Sequence, residues 1–452
     1  NFSAGTGGGD NASYFGGIVG HYNTTTGGTG NVEMKNTFSR GDLTVYRNSL
    51  CDLLVGGLAG NIIGNSANKI SLENCAVESG AIRVVSSKNR NLWAGGCIGE
   101  IKQYVFFDNV RSLGGTLTVE QDDTVNSGQN SYTGGFAGYL EESTVNGSFS
   151  NTTVTVTENF NSHDESYTGG FIGYLGVGST LAVIKNCYAT GNVTVSSQAG
   201  SLYAGGLLGR TAGGGTEGVR VEQCYAAGEV SVAGRGTIRA GGLIGGSLAR
   251  LQVSNCYALG NVLANRASAG SDSTMAAGLV GYSNYAENSI EHCFAGGAVI
   301  ARSNASSGNG IYTAGIVGYL GECTITNSAA FGPSLTAKGP PTHRQGRISA
   351  RYYDDVATLT NNYALADMRL ETSSNYDDPN PASAPASSNV GANEQNGKDA
   401  TVNDFRNAAF WLDSNGLSFN YAGGGMAGIT NTWDFSGIAG RGYPTLAGMG
   451  GQ

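Results

Sequence analysis

The apolar residues of this chain recur in a pentad made of two small residues, two apolar residues and a glycine. A pentad begins every 35 to 40 residues, at Gly16, Gly56, Gly95, Gly134, Gly169, Gly205, Gly241, Ala277 and Ala314. A fixed period of this length is typical of repeat proteins, in which each unit buries its apolar face only by packing on its neighbours. The pattern therefore predicts one repeating unit rather than several globular domains.

Two further blocks follow each pentad. The second block reads polar-small-aromatic-Ala, and its clearest copies are Asn186–Ala189, Gln223–Ala226, Asn255–Ala258 and His292–Ala295. The third block opens with glycine and then alternates apolar and polar residues, as in Gly191–Val195. Alternation with a period of two is typical of a half-buried strand. Each repeat is therefore predicted to contain three short strands separated by Gly or Asn turns.

Strands that recur in a constant order can wrap into one coil, and identical coils can then stack in register as parallel sheets. Antiparallel hairpins are the alternative, but they need reciprocal partners that a single recurring unit does not supply. The sequence therefore predicts an all-β fold, a right-handed parallel β-helix or β-solenoid of about ten coils of three short strands. The tenth coil would contain a decayed pentad near Ala350.

The predicted β-solenoid spans residues 14–370 and follows an entry segment of residues 1–13. Residues 371–400 are rich in Ser, Asn, Ala and Pro, a composition typical of an irregular loop. Apolar residues return at helical spacing in Thr401–Asp413, and aromatic residues follow. We expect residues 401–452 to form a small C-terminal cap with one short helix, because the end of a solenoid exposes unpaired strand edges.

Composition narrows the class of protein. Gly accounts for 74 of the 452 residues and charged residues for only 13%, which is atypical of a helical or α/β enzyme. Hydrophobic residues make up 40%, too many for a disordered polymer. The net charge is -9 without a basic cluster, so no nucleic-acid partner is expected. No apolar run is long enough to span a bilayer, and we expect a processed part of a secreted bacterial protein.

Residues at one repeat position form columns along the predicted rod. The first column is aromatic, and its candidates for a binding surface are Tyr132, Tyr167, Tyr203 and Tyr312. Rings stacked at strand spacing stabilise one another by about 0.5 to 1.5 kcal/mol per pair, so one interpretation is structural. The other is an exposed stripe that stacks on the sugar rings of a host or microbial glycan. The column is interrupted at Leu54, Arg239 and Met275.

A second column contains asparagines, among them Asn186 and Asn255, whose amides can bond to the copies above and below. A third column contains cysteines at Cys75, Cys187, Cys224, Cys256 and Cys293. Parallel neighbours hold their Cβ atoms near the strand spacing, wider than the roughly 3.8 Å that a disulfide prefers. We therefore predict free, inward thiols, and no metal site because no CxxC pair is present.

The best copies of these blocks lie in residues 167–301. Ala204–Gly209 reads AGGLLG, and Ile184–Val193 reads IKNCYATGNV. Both resemble the GLUG repeat of bacterial surface proteins, and weaker copies extend the resemblance over residues 14–364. The resemblance implies an adhesin-like protein, secreted or on the cell surface of a bacterium. Such repeats also occur beside the catalytic domain of IgA-cleaving zinc peptidases.

The chain contains no recognisable catalytic motif. None of the four histidines is followed by glutamate as in an HExxH zinc helix, and no GxSxG elbow or phosphate-binding loop is present. A polysaccharide-cleaving β-helix needs paired carboxylates in a cleft. The acidic pairs here are Asp122-Asp123, Asp354-Asp355 and Asp377-Asp378. The sequence therefore predicts no enzyme activity, no catalytic or metal-binding residue and no cofactor.

Two short sequences, Asp123–Val125 and Asp272–Thr274, resemble bacterial O-glycosylation acceptors, so Thr124 and Ser273 are candidate modification sites. Three hypotheses for function remain open. The preferred one is a non-catalytic structural or adhesive rod whose partner is a surface glycan or protein. The second is a subunit that polymerises with copies of itself into an extracellular filament, end to end or by strand exchange. The third is a polysaccharide-active enzyme.

Overall fold

The chain is seen here in a computed structural model. The residues that the structure describes are 2–3, 12–23, 32–48, 50–66, 69–78, 80–87, 90–122, 129–159, 165–213, 217–285, 287–305, 310–340, 342–350, 357–386, 388–413, 415–419 and 432–450.

Each coil of the fold consists of short strands that belong to five different parallel sheets. In one central coil these strands are Ser201–Gly205, Leu208–Ala212, Val219–Glu222, Tyr225–Ala226 and Val230–Gly234. Like residues of successive coils pair in register, so that Gly205 lies beside Gly169 on one side and Gly241 on the other. The fold is an all-β parallel solenoid of about nine turns with very little helix, which confirms the predicted class. The right hand of the coil stays a prediction.

Sheets 1 and 2 contain the strands on either side of the pentad corner. Sheet 1 consists of Ala12–Gly16, Asp52–Gly56, Leu92–Gly95, Asn130–Gly134, Glu165–Gly169, Ser201–Gly205, Thr237–Gly241, Thr274–Ala277, Ile311–Ala314 and His343–Gly346. Sheet 2 consists of Val19–Asn23, Ala59–Ile63, Ile98–Lys102, Ala137–Glu141, Ile172–Gly176, Leu208–Ala212, Ile244–Leu248, Val280–Ser283 and Val317–Leu320.

Sheets 3 and 4 contain the strands on either side of the asparagine corner. Sheet 3 consists of Val32–Lys35, Ile70–Glu73, Val105–Asp108, Thr144–Asn146, Ala182–Lys185, Val219–Glu222, Leu251–Ser254, Asn288–Glu291, Cys323–Thr326 and Thr358–Thr360. Sheet 4 consists of Phe38–Ser39, Ala76–Val77, Arg111–Ser112, Phe149–Ser150, Tyr188–Ala189, Tyr225–Ala226, Tyr257–Ala258, Phe294–Ala295, Ala329–Ala330, Tyr363–Leu365 and Lys398–Ala400.

Sheet 5 contains the alternating strands and closes each coil. Its members are Phe2–Ser3, Leu43–Arg47, Ala81–Ser86, Thr116–Asp122, Thr153–Asn159, Val193–Ser197, Val230–Gly234, Val262–Arg266, Val299–Ser303, Ser334–Lys338, Arg369–Ser373 and Ala382–Ala384. Ala382–Ala384 pairs antiparallel with Arg369–Ser373, whereas the other pairs described in this sheet are parallel. Residues 371–400, predicted to be an irregular loop, thus contribute strands to sheets 4 and 5.

The prediction of three strands per coil is wrong, because two of the predicted strands contain a corner. The pentad bends after its first glycine, so that Gly205 ends one strand and Leu208 begins the next. A Cβ atom on Gly205 would lie 2.0 Å from the carbonyl oxygen of Leu208, and one on Gly206 would lie 2.2 Å from that of Gly242. The bend therefore brings backbone close at both positions; the second is glycine in all nine pentads, whereas Ala277 and Ala314 occupy the first in two of them.

The second hidden corner lies at the asparagine of the second block. Asn186 and Asn255 have φ values of 52° and 53°, in the left-handed region that asparagine tolerates better than most residues. Gln223, in the coil between them, and His292, in the coil after Asn255, adopt the same conformation. The corner separates the strand of sheet 3 from the two-residue strand of sheet 4, which raises the number of strands per coil to five.

The core of the rod is one continuous apolar column. In the central coil it contains Leu202, Leu207, Leu208, Val221 and Cys224, all of which are buried. Equivalent residues of the coils above and below extend the same cluster along the chain. Each coil therefore buries its apolar face against its two neighbours, the source of stability expected of a solenoid.

Residues 388–400 cover the C-terminal end of the rod. The carbonyl oxygen of Gln395 accepts hydrogen bonds from the backbone N–H groups of Ile348 and Ser349, and that of Ala392 accepts one from Asn362. Lys398–Ala400 then pairs with Tyr363–Leu365 as the last strand of sheet 4. The backbone groups at this end are thus partly paired within the chain itself.

The C-terminal segment contains three short helices, where the sequence predicted one. They are Val402–Phe405, Ala408–Leu412 and Ile438–Arg441, and a small antiparallel hairpin pairs Trp433–Asp434 with Thr445–Leu446. The predicted N-cap at Thr401 is present, because its side chain accepts a hydrogen bond from the backbone N–H of Asp404 in a capping box. The helices are so short that packing rather than propensity must hold them.

This segment packs along the flank of the rod, on the outer aromatic residues of sheet 4. Trp411 and Phe419 pack on Phe294, and the indole Nε1 of Trp433 donates a hydrogen bond to the Asn255 side chain, 3.1 Å away. The hydroxyl of Tyr225 donates a hydrogen bond to the carbonyl oxygen of Gly450. The cap predicted for residues 401–452 thus lies against several successive coils.

Candidate functional site

The outer side chains of sheets 1 and 2 face each other along the corner where these sheets meet, and we call this surface the groove. Its first wall is the predicted aromatic column of sheet 1, in which Trp93, Tyr132, Tyr167 and Tyr203 occupy successive coils. The ring centroids of Trp93 and Tyr132 are 5.4 Å apart, and those of Tyr132 and Tyr167 are 5.1 Å apart. The structure therefore brings these candidate residues together as a stack.

The second wall is a column of sheet 2 that the sequence interpretation missed. It places Tyr139, Tyr174 and Arg210 in successive coils, and Tyr282 and Tyr319 follow after Gly246. Each tyrosine of this column directly follows the last glycine of a pentad, and this recurring Gly-Tyr pair was the signal available in the sequence.

The two walls contact each other through edge-on rings. The centroid distances are 5.7 Å for Tyr132 and Tyr139, 5.1 Å for Tyr167 and Tyr174, and 5.7 Å for Tyr312 and Tyr319. Such T-shaped contacts are favourable because the positive edge of one ring meets the negative face of another. The second wall therefore covers much of the first.

Most of the predicted aromatic stripe is buried, whereas glycan stacking on this stripe would require exposed rings. Tyr167, Tyr203 and Tyr312 are buried, with exposed fractions of 2%, 3% and 1%, whereas Tyr132 is half-buried. Burial raises the pKa of Tyr132 to about 12 and also raises the pKa values of Tyr167 and Tyr203. The structure therefore buries three of the four candidates in the first wall, while the second wall contains half-buried rings such as Tyr139 and Tyr174.

The polarity of the groove changes along the rod. At the N-terminal end, His21 Nδ1 lies 2.8 Å from Asn61 Oδ1, and Glu100 forms an ion pair of 2.7 Å with Lys102. In the middle, Arg210 lies among three tyrosine rings and forms an ion pair of 3.1 Å with Glu165. The carboxylate of Glu100 and the guanidinium group of Arg210 are thus each neutralised by a neighbouring opposite charge.

The C-terminal part of the groove contains a pocket of about 350 Å³. Its lining residues are Thr237, Arg239, Ser273, Met275, Tyr282, Tyr312 and Tyr319. It opens where Arg239 and Met275 replace the aromatic residue of sheet 1 and Gly246 replaces that of sheet 2. The interruption of the aromatic column seen in the sequence is therefore the place where the groove widens.

The cysteine column lies inside the rod, on the opposite face of the strands that carry the outer rings of sheet 4. The backbone N–H of Cys187 points at the sulfur of Cys224, 3.4 Å away, and that of Cys224 points at the sulfur of Cys256, 3.3 Å away. Cys293 and Cys75 are also buried. All eight cysteines carry reduced thiols in this structure. The thiols of this column donate to backbone carbonyl oxygens, as Cys187 does to Lys185 at 3.0 Å.

The buried thiols are expected to be unreactive in the folded protein. Burial raises the pKa of Cys187 and of Cys256 in the column, and it raises the pKa of Cys97 and of Cys323 outside the column to about 12. Burial acts on Cys224 in the same direction, but hydrogen bonds with Cys187 and Cys256 lower the pKa of Cys224 to about 5; its sulfur is fully buried, so reagents cannot reach it. Because only the thiolate is an effective nucleophile, Ellman's reagent at pH 8 should titrate at most one cysteine per chain, the half-buried Cys51. In guanidinium chloride it should titrate eight, and a Cys51→Ser variant is the control. Rapid reaction of three or more native thiols would contradict the buried column.

The asparagines Asn186 and Asn255 lie at the corner between sheets 3 and 4. The side-chain amide of Asn186 donates to Asn146 Oδ1 at 3.0 Å, a bond between neighbouring coils. Asn255 instead accepts the hydrogen bond from Trp433 described above. Asn186 thus links the corners of two neighbouring coils, and Asn255 binds the C-terminal segment to the rod.

The remaining candidate residues are dispersed. Thr124 lies outside the described residues, as do Asp123, Asp354 and Asp355. Ser273 is described and is only 4% exposed, which argues against its modification in the folded chain. Asp378 accepts hydrogen bonds from the Ser373 hydroxyl and from the backbone N–H of Asn380, an arrangement that shapes a turn. Among described residues, no group of three or more His, Cys, Asp or Glu side chains could hold a metal ion.

No described helix is long and apolar enough to cross a membrane. The stacked coils and the groove between two of their sheets define a parallel β-solenoid repeat protein. Residues 164–194 match the family model described as the GLUG motif, so the chain contains this motif and the resemblance is confirmed. The matched residues include Glu165–Gly169 of sheet 1 and Tyr188–Ala189 of sheet 4. Comparisons with curated proteins and with solved structures gave no match.

Proposed function

We propose that this chain is a non-catalytic bacterial protein, secreted or on the cell surface, whose rod presents the groove between sheets 1 and 2 for adhesive contact with glycans. The observation that carries the proposal is the two-walled aromatic groove, in which rings occupy successive coils over part of the rod at about 4.8 Å spacing. An open groove with a regular repeat suits an extended polymer better than a compact metabolite.

The rings are held in place before any ligand arrives. Tyr139 and Tyr174 are stacked at 5.3 Å, and Tyr174 also contacts Tyr167 edge-on. Their side chains therefore lose little conformational freedom on binding, which favours affinity. Several weak sugar contacts along one rigid rod add up through effective concentration, so shallow contacts suffice for adhesion.

The extracellular location in this proposal is supported by composition and by the motif. The chain is poor in charged residues and rich in Gly, Thr and Asn, and it contains the GLUG motif found in bacterial surface proteins. The buried thiols are compatible with an oxidising environment, because burial keeps oxidising reagents from reaching them.

A self-polymerising filament is the second candidate, and the ends of the rod bear on it. The first described coil presents Ala12–Gly16 and Val19–Asn23 as edge strands of sheets 1 and 2. At the opposite end, the backbone of Gln395 already bonds to Ile348 and Ser349. Head-to-tail stacking needs two free ends, so this partial closure favours separate rods over filaments.

The proposal is tested by glycan-array binding of the whole chain together with negative-stain imaging. We expect isolated rods and binding to a subset of glycans without release of reducing ends. Tyr174→Ala should weaken binding at least fivefold, roughly 1 kcal/mol. Tyr285→Ala, which removes a 40% exposed tyrosine outside the groove, is the matched control. Long filaments without glycan binding would support the second candidate, and turnover of a bound glycan would contradict a non-catalytic role.

A further inference from the structure

The pocket in the C-terminal part of the groove lies where the wall of sheet 2 lacks a side chain and the wall of sheet 1 lacks its aromatic ring. Gly246 stands where neighbouring coils have Arg210 and Tyr282. A Cβ atom on Gly246 would lie 2.9 Å from the Tyr203 ring, so a larger residue would press on that ring. The space that is left open lies beside the guanidinium group of Arg239 and the rings of Tyr282 and Tyr312.

The charge of Arg239 is not neutralised by the described part of the chain. Its Nε and Nη1 atoms are buried and have no hydrogen-bond partner among described residues. The guanidinium carbon lies 4.6 Å from the ring centre of Tyr203 and 4.9 Å from that of Tyr282, so ring faces are its neighbours. Arg239 is half-buried as a residue, and its guanidinium group has no carboxylate partner among the described residues, so its charge is available to an anionic ligand.

Arg210, one coil away in the other wall, shows what a structural arginine of this groove looks like. Its Nη1 atom lies 3.1 Å from Glu165 Oε2 and 2.7 Å from the Tyr167 hydroxyl. It also lies over the ring of Tyr203, as Arg239 does. The two arginines thus share aromatic neighbours and differ in the carboxylate, which only Arg210 has.

A second arginine flanks the same pocket. Arg344 occupies the sheet 1 position that follows Met275 and Tyr312, and its exposed guanidinium lies 5.6 Å from the Tyr312 ring centre. Three coil spacings separate it from Arg239, about 14 Å. Asp272, which accepts a hydrogen bond from the pocket residue Thr237, is held in an ion pair of 3.0 Å with Arg266. Arg239 and Arg344 therefore place two positive charges along this part of a chain whose net charge is -9.

We propose that this pocket binds the carboxylate of an acidic sugar, a uronic acid residue within an extended oligosaccharide. Arg239 would receive the carboxylate, because a guanidinium group can donate two parallel hydrogen bonds to it. The rings of Tyr282 and Tyr312 provide flat apolar faces for the sugar, and Arg344 faces a second acidic residue further along the polymer. The inference rests on the proposed glycan-binding function and specifies the class of glycan.

The test is calorimetric titration of the full chain with oligogalacturonate, alginate oligosaccharides and hyaluronan oligosaccharides, each beside its carboxyl-reduced neutral counterpart. We expect at least one acidic oligosaccharide to bind at least tenfold more tightly than its neutral counterpart, with binding that weakens as salt increases. Arg239→Gln should lower that affinity at least tenfold. Arg239→Lys should recover part of it, because lysine restores the charge but not the paired donors.

Arg235→Gln is the matched control, because Arg235 is exposed, lies four residues away and is not part of the pocket. It should change the affinity less than twofold. Unchanged thermal midpoints show that the variants fold. Equal binding of acidic and neutral forms, or wild-type affinity in Arg239→Gln, would overturn the acidic-sugar inference while leaving glycan adhesion intact. Absence of binding to every glycan, on the array as well as in solution, would overturn both.

Discussion

Replacing Gly206 by alanine is expected to lower the free energy of unfolding by about 3 kcal/mol. The added Cβ atom would lie 2.2 Å from the carbonyl oxygen of Gly242 and 2.8 Å from the Cβ atom of Ala226. The carbonyl belongs to the backbone of the next coil and Ala226 is buried in sheet 4, so neither can move away cheaply. The strain therefore acts on the corner between sheets 1 and 2 in two adjacent coils.

Urea unfolding followed by circular dichroism measures this effect, with Gly440→Ala as the matched control. A Cβ atom on Gly440 would meet nothing within 4 Å, and the residue is exposed in the helix Ile438–Arg441. Alanine there should be neutral or stabilising by up to about 1 kcal/mol. If Gly206→Ala were as stable as the wild type, the close approach of the coils at this corner would be incorrect.

Replacing Trp411 by alanine is expected to detach the C-terminal segment from the rod without unfolding the coils. Trp411 is fully buried, contacts Phe294 and Phe419, and donates a hydrogen bond of 2.8 Å from its Nε1 atom to the carbonyl oxygen of Phe405. Loss of a buried tryptophan side chain costs about 3 to 5 kcal/mol, more than such short helices can offset. The rings of sheet 4 that the segment covers would then become exposed.

Three measurements on Trp411→Ala separate detachment from global unfolding. Far-ultraviolet circular dichroism should keep its β-sheet signal, binding of the dye ANS should rise, and the fluorescence of Trp433 should shift to longer wavelength. Val402→Ala, which alters a 45% exposed residue of the same segment, should leave all three unchanged. Loss of the β-sheet signal in Trp411→Ala would show that the segment is required for the solenoid itself.

The stacking of like residues could be predicted from the sequence because parallel coils in register require it. Cys187, Cys224, Cys256 and Cys293 share one repeat position in the sequence and one column in the structure. Their inward direction and the outward direction of Tyr188 follow from the alternation of side chains along a strand. The period and composition thus determine the fold class and which side chains become neighbours along the rod.

The corners and the groove could not be predicted in the same way. A Gly-Gly pair and an asparagine each permit either an extended or a bent backbone, and packing of the whole coil decides which occurs. Whether Tyr203 faces solvent or another wall depends on the angle between sheets 1 and 2, which the repeat does not encode locally. The partner of Trp411 was likewise hidden, because contact with Phe294 joins residues far apart in the chain.

Distances between spin labels on sheet 5 test the stacked-coil account most directly. Labels would replace Ala81 and Asn261, five coils apart, or Asp42 and Ala298, seven coils apart, in a Cys51→Ser background. At about 4.8 Å per coil the expected separations are about 24 Å and 34 Å, so the second pair should be about 10 Å longer. Equal separations, or a shorter distance for the second pair, would contradict a rod built from one coil per repeat.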